Sequence, residues 1–282
     1  VFITYKILDI ADLSVDGTVS LGAAVFAVML TKGQNIWLCM LYATLAGMAA
    51  GLVTGLFHTL MGIPAILAGI ITQFGLYSIN LKILGGSNMT ISNRTYDLIE
   101  SSMYMKGGYP FYKWPVFVFG VASLVLIIVL YWFFGTELGA SIRATGCNEQ
   151  MARAQGINTG FNKVLALMIS NGLVGLCGGI YAQYQGAADV NMGRGAIVIG
   201  LAAVIISEVI FAKFCAGRKA AFAFTLGAIF IGAIIYYIVI ALVLWLKMPS
   251  DYMKLFSAVV VACFLAVPYM KGKYFTKKRR TA

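Results

Sequence analysis

The chain has 282 residues, 61% of them hydrophobic and 11% charged, with a formal net charge of +11 and a mean hydropathy of +0.88. Soluble domains carry about a quarter charged residues because their surface faces water, so a soluble domain is excluded. The repeated apolar stretches are instead long enough to cross roughly 30 Å of hydrocarbon as α-helix. Runs such as Val116 to Phe134 are apolar on every side, which excludes a membrane barrel.

In chain order, Val1 to Ile10 reads as the end of a truncated first helix, because the chain opens inside an apolar run without an initiator Met. Polar breaks then delimit spans near Thr18 to Leu30, Ile36 to Phe57, Pro64 to Leu84 and Pro115 to Phe134. Four more follow near Asn162 to Tyr184, Ala196 to Phe211, Ala220 to Leu246 and Tyr252 to Pro268. The expectation is one all-α domain over residues 1–282, a polytopic transmembrane helix bundle of about eight complete spans.

Basic residues orient it. Lys271, Lys273, Lys277, Lys278, Arg279 and Arg280 follow directly on the last span, the mark of a cytoplasmic flank. Counting back places Lys213, Arg218 and Lys219 inside, and Gly135 to Lys163 inside as well. Gly85 to Trp114 and Gly186 to Gly195 fall outside. The positive charge therefore speaks for a cytoplasmic flank beside membrane lipid, not for nucleic acid, since no soluble domain presents a binding face. Cys39, Cys147, Cys177, Cys215 and Cys263 lack metal or disulfide spacing.

Small residues are spaced for helix contact: Gly47, Gly51 and Gly55 form a groove on one face, and Gly172, Gly175, Gly178 and Gly179 crowd another helix. Packing within the bundle is the expected use of both.

Two distant segments resemble each other. Ala11-Asp12-Leu13-Ser14-Val15-Asp16-Gly17 and Ala188-Asp189-Val190-Asn191-Met192-Gly193 each lead into a small-residue helix. By span parity these helices cross in opposite senses, the pattern of an inverted internal repeat with a site near the midplane. Asp12, Ser14 and Asp16 at the first break, and Asn191 at the second, either cap helix starts or line a pathway, and both can hold. For Asp189 and Arg194 an ordinary external loop is the expectation. Gln73, Asn80, Asn171 and Gln183 lie within spans, where amides bond across helices or meet a zwitterionic solute in transit.

The polar segment 135–160 does not belong in hydrocarbon. Asn148 suits an N-cap, Glu149 a first turn, Arg153 a last turn and Gly156 a C-terminal stop, which predicts a helix of about two turns exposed at the cytoplasmic face. A helix that short needs a docking partner.

Gly139 to Ile157 (Gly-Ala-Ser-Ile-Arg-Ala-Thr-Gly-Cys-Asn-Glu-Gln-Met-Ala-Arg-Ala-Gln-Gly-Ile) resembles the cytoplasmic coupling segment of ABC importer permeases of the branched-chain amino acid and ribose type. Asp12 to Gly17 resembles that family's motif at its early broken helix, and Gly62-Ile-Pro-Ala-Ile-Leu-Ala68 its Ile-Pro-led span. The likeness runs in order over nearly the whole chain, and is closest to permeases paired with binding lipoproteins for amino acids, aromatic ones included.

The resemblance implies a multi-pass subunit of the bacterial plasma membrane with a cytoplasmic C-terminus. It pairs with a second copy of itself, a substrate-binding lipoprotein and a cytoplasmic ABC ATPase dimer. Arg143, Asn148, Glu149, Gln150, Arg153 and Gly156 would form the contact with that ATPase. ATP and magnesium belong to the partner; the sequence holds no Gly-x-x-x-x-Gly-Lys-Ser/Thr loop, so no cofactor and no catalytic residue is expected here. The rival reading is an ion-coupled secondary transporter.

The lone His58 reads as a packing or interfacial residue, Glu208 and Lys213 as a structural ion pair, and Asn88 and Asn93 as external glycosylation sequons of use only in a glycosylating host.

Overall fold

The computed structural model describes residues 1–91, 98, 114–215 and 221–245, with isolated helical positions at 259, 262 and 266. Two compact units divide the chain at Ile197 and Val198. Apart from positions 259, 262 and 266, the predicted span Tyr252 to Pro268 lies outside the described residues, as do the basic tail and Asn93; the other seven predicted spans are all helices.

The first unit opens on a π-helical turn, Ile3–Ile7. It continues through α1 (Val15–Thr31), α2 (Ile36–Thr59), α3 (Ala65–Leu84), β1 (Asn88–Thr90), α4 (Pro115–Gly135), α5 (Glu137–Cys147), α6 (Glu149–Ala154), α7 (Thr159–Gln185) and β2 (Ala187–Asp189). It ends in the first residues of α8 (Ala196–Cys215); the second unit holds the remainder of α8 and α9 (Ala221–Trp245). Among the described residues, α2, α3, α4, α7 and the Phe222–Leu242 stretch of α9 are long and apolar enough to cross a membrane. α1 is shorter because it starts inside the bundle rather than at its surface. The fold is an all-α polytopic bundle.

α7 is the spine of the first unit. Asn171, Leu167 and Val164 lie against Gly47, Gly51 and Gly55 of α2, which therefore runs antiparallel to it. Thr18, Gly22 and Phe26 of α1 meet Asn171, Gly175 and Gly179 in the same order, so α1 runs parallel. A Cβ on Gly47 or Gly51 would fall on an α7 carbonyl, and one on Gly22 would fall on the Gly175 backbone. Helices touch backbone to backbone there, as small residues in lipid allow, and the groove on α2 is filled from within the chain. Thr54 on α2 donates to Thr72 on α3 (3.0 Å), both buried.

At one end of the unit, β1 and β2 pair antiparallel, with Met89 opposite Ala188. The ladder extends through Ile91 N–H to the Gly186 carbonyl and Val190 N–H to the Ser87 carbonyl. Ile91, Ala188 and Val190 cover a buried cluster with Ala23, Phe26, Leu30 and Leu84. Both segments were expected as plain external loops. Three residues of pairing carry no alternating pattern that a sequence would reveal.

In the second unit, Ala202, Ile206 and Tyr236 form the buried contact between α8 and α9, and Gly232 lies against the Ala203 carbonyl. Glu208 is half-buried on α8, while the side chain of Lys213, its expected partner, lies outside the described residues.

Candidate functional site

Asn171 stands 12 residues after the start of α7 (171 − 159) and 14 before its end (185 − 171), about 18 and 21 Å along a 1.5 Å rise. It is thus near the middle of the membrane layer, where α1 begins. Upstream, Asp9 holds a left-handed backbone (φ 55°) that breaks the helical path between the π-helical turn and α1.

Around Asn171 the structure closes a buried polar network. Asp12 Oδ1 accepts from Ser14 N–H (2.9 Å) and Ser14 Oγ–H (2.6 Å), and Asp12 Oδ2 accepts from Asn171 Nδ2 (2.8 Å). Asn171 Oδ1 lies 2.9 Å from Thr18 Oγ1 and 3.2 Å from Ser14 Oγ. Ser14 has one hydroxyl proton, and the shorter bond to the carboxylate takes it. Every one of these side chains is buried. An acidic group in hydrocarbon is costly unless its lone pairs are filled, and here three donors fill them.

Asp16, the second residue of α1, accepts from the segment that leads into α8. Its Oδ2 accepts from Gly195 N–H (2.9 Å) and its Oδ1 from Ile197 N–H (3.0 Å), while Ser20 Oγ accepts from Gly193 N–H (3.1 Å). The first turn of α8 needs acceptors for its orphan N–H groups and favours negative charge; α1 supplies both. Residues 190–195, read from sequence as external loop, therefore fold back against α1, with Gly193 buried on the Asp16 carbonyl.

Beside this junction lies a half-open cavity of about 180 Å³, lined by Asp16, Gly17, Gln73, Asn80 and Asn191 together with Phe74, Tyr77, Val190 and Arg194. Asn80 donates from Nδ2 to the Gly17 carbonyl (3.2 Å), and its buried Oδ1 has no partner among the described residues. Of the pathway residues named from sequence, Asp16, Gln73, Asn80 and Asn191 meet at this cavity. Asp12, Ser14 and Asn171 belong to the closed network, and Gln183 is buried on α7 in neither, its amide unpartnered among the described residues. No group of three or more metal-ligating side chains occurs among the described residues.

At the other end of the bundle, residues 135–160 fold into two helices where one was foreseen. Thr136, Asn148 and Asn158 cap α5, α6 and α7 in turn, accepting from Gly139, Met151 and Phe161 N–H. Gly156 turns the chain at φ 81°, a left-handed conformation open to glycine. α5 is anchored by Asn162, which donates to Thr145 Oγ1 (3.1 Å), and by Gly146 lying on the Ile7 carbonyl. Glu149 clasps α6 to α7: Oε2 accepts from Lys163 Nζ (2.7 Å), and Oε1 from Arg153 Nη2 (2.6 Å) and Thr159 Oγ1 (3.2 Å). Arg153 Nε also donates to Thr159 Oγ1 (2.8 Å). Glu149 thus has its charge met within the chain, while Gln150, Met151, Ala154 and Gln155 stand exposed, as do its partner Arg153 and Arg143 on α5.

The hydrogen bond from Lys163 holds the Glu149 carboxyl below the usual range, with the Lys163 and Arg153 charges adding to it. A depressed folded-state pKa stabilises the clasp above the ordinary value of about 4.3 and loses that contribution as pH falls through the depressed value. Protection factors at the amides of α6, measured against the intrinsic exchange rate at each pH, are expected to be high at neutral pH and to fall selectively once the pH drops below the ordinary carboxyl range. Unchanged α6 protection there would show that the clasp does not hold the helix.

The family model described as "Branched-chain amino acid transport system / permease component" matches residues 1–265. The chain belongs to this permease family. The permease is 40% identical over 266 residues to a tyrosine transport system permease protein of Clostridioides difficile (strain R20291), covering 94% of this chain and 84% of that one. An uncharacterized protein of Rickettsia prowazekii (strain Madrid E), RP368, is 33% identical over 92% of this chain and 88% of its own. The autoinducer 2 import system permease protein LsrC of Yersinia pestis (strain Pestoides F) is 29% identical over 70% of this chain and 54% of that one. No solved structure matches. The permease is a multi-pass membrane protein.

Sequence reading missed Thr18 as a network member and Phe74 and Tyr77 as cavity residues. A signal was present: Gln73, Tyr77 and Asn80 recur at i, i+4 and i+7 and share one face of α3. His58, expected to pack, donates from Nδ1 to the Ile63 carbonyl (2.9 Å) and closes the turn between α2 and α3.

Proposed function

We propose that the permease forms the translocation pathway of a bacterial ABC importer for an α-amino acid, driven by a separate ATPase dimer that carries ATP and magnesium. A substrate-binding lipoprotein delivers the solute, and two copies of this chain form the pore in the plasma membrane, C-termini cytoplasmic. The likeness to a tyrosine transport permease supports an aromatic amino acid as cargo.

The observation that carries this reading is the α5–α6 unit. Its helices are capped in series, clamped to α7 through Glu149 and Asn162, and leave an exposed patch of Gln150, Met151, Ala154 and Gln155 beside the exposed Arg153. A segment so tied transmits a push on α6 to α7, whose midpoint carries the network at the start of α1. An ion-coupled carrier has no use for such a lever. In this reading residues 135–160 are the coupling segment, and the break before α1 and its counterpart before α8 are the two halves of an inverted repeat.

The test is co-purification from the native membrane. Reversing Glu149 or Arg153 would dislodge α6 as well as alter its surface, so Met151→Arg is the cleaner variant. Met151 is 59% exposed, and a surface change of this kind costs within about 0.5 kcal/mol of stability. A central interface side chain contributes about 2 kcal/mol or more, roughly thirtyfold in affinity. Wild type is expected to bring an ATPase with it and Met151→Arg to lose it at unchanged melting temperature. A chain that purifies alone and transports under an ion gradient without ATP would overturn the importer in favour of a secondary transporter.

A further inference from the structure

The cavity beside Asp16 combines features that neither packing nor capping explains. Arg194 is an exposed cation on a segment folded back against α1, and no side-chain hydrogen bond or ion pair engages it among the described residues. Ionisable groups at membrane depth face protein or a water-filled pathway and mark function. Asp16 lines the same cavity, and two backbone N–H bonds leave part of its carboxylate's acceptor capacity open. Asn80, wholly buried, braces this wall by donating from Nδ2 to the Gly17 carbonyl (3.2 Å). Phe74 and Tyr77 bring aromatic rings to the same lining.

We propose that this cavity is a binding station for an α-amino acid with a planar side chain. The Arg194 guanidinium takes the carboxylate in a forked pair. Asp16 accepts from the ammonium, and Phe74 and Tyr77 pack on the ring. One cation and one anion in one lining match a zwitterion without adding net charge to the pathway. The volume of about 180 Å³ is small beside the roughly 300–1,000 Å³ of drug-sized sites. It sits just above the roughly 150 Å³ that admits benzene, which holds one ring and leaves the carboxylate and ammonium at its open side. The proposal rests on the amino-acid reading above and adds the residues that select the cargo.

The experiment is equilibrium binding of radiolabelled L-phenylalanine to the full permease, co-purified with its ATPase, in nanodiscs without nucleotide. L-leucine competes as an amino acid without a ring, and phenethylamine as the same ring and ammonium without a carboxylate. Wild type is expected to prefer L-phenylalanine over both. Arg194→Gln should weaken L-phenylalanine roughly ten- to hundredfold and leave phenethylamine unchanged, with Arg194→Lys in between. Tyr77→Leu should erase the preference over leucine.

Equal loss for both ring probes in Arg194→Gln would show a structural role and overturn the proposal. So would unchanged L-phenylalanine binding in that variant, or no saturable binding to wild type up to millimolar concentration. The importer reading is judged separately, by ATPase co-purification. If leucine and phenylalanine bind equally and Arg194→Gln is silent, the amino-acid reading stands and this station falls.

Discussion

Replacing Asn171 with leucine is expected to unfold most of the permease in detergent at temperatures where the parent is stable. The amide donates to Asp12 and accepts from Thr18 at the middle of α7. Leucine is close in volume, so packing is nearly conserved while both bonds go. Asp12 is then left with the two bonds from Ser14 alone, buried away from water. Removing one partner of a buried charged group costs about 3–5 kcal/mol, a large part of a typical stability of about 5–15 kcal/mol. The double variant Asp12→Leu with Asn171→Leu should recover much of that loss, because neither half is then stranded. Thermal melting by tryptophan fluorescence reads both. Equal stability for Asn171→Leu and the parent would mean that the carboxylate is solvated from elsewhere and the network is incidental.

Gly175→Val should be as damaging for a different reason. Gly175 is where α1 and α2 both press on α7: its own Cβ position lies on the Ala43 carbonyl, and the Cβ position of Gly22 lies on its backbone. A branched side chain there must push α2 outward from the helix that also holds α1. Overpacking costs about 1–3 kcal/mol where side chains can move aside, and more is expected where the obstacle is backbone. The variant should fail to accumulate in the membrane, whereas Gly120→Val, on an α4 glycine with nothing within 4 Å of its Cβ position, should accumulate normally. Similar amounts of the two, judged by blotting, would refute close backbone packing at Gly175.

Much of the fold was legible in the chain because lipid leaves a polypeptide few choices. Each apolar run must close its own hydrogen bonds as helix, so the seven predicted spans that fall in the described residues are present with starts and ends close to those expected. The caps of α6 were legible for the same local reason. Asn148, Glu149 and Gly156 act within one or two turns of themselves, and the structure realises them as read. The glycine groove on α2 was visible as spacing, and its filling by α7 followed from the need to bury it.

The site was legible only in residue type. Asp12, Asp16, Asn80 and Asn171 stand out as polar groups where hydrocarbon penalises them, and that penalty is a local property of sequence. Their division of labour is not. Asp12 and Asn171 meet over 159 residues of separation, and Asp16 reaches Gly195 over 179, so partner choice rests on how α1 lies along α7. The return of 190–195 into the bundle escaped the sequence because nothing local distinguishes it from an exposed turn. It is held by orphan N–H groups finding Asp16 and Ser20 across the fold. The sequence by itself determined a membrane-spanning helical bundle and its polar breaks, through the cost of unpaired groups in lipid. Only the tertiary structure decided which breaks close on one another and which leave a cavity, because that depends on the register of helices packed through glycine.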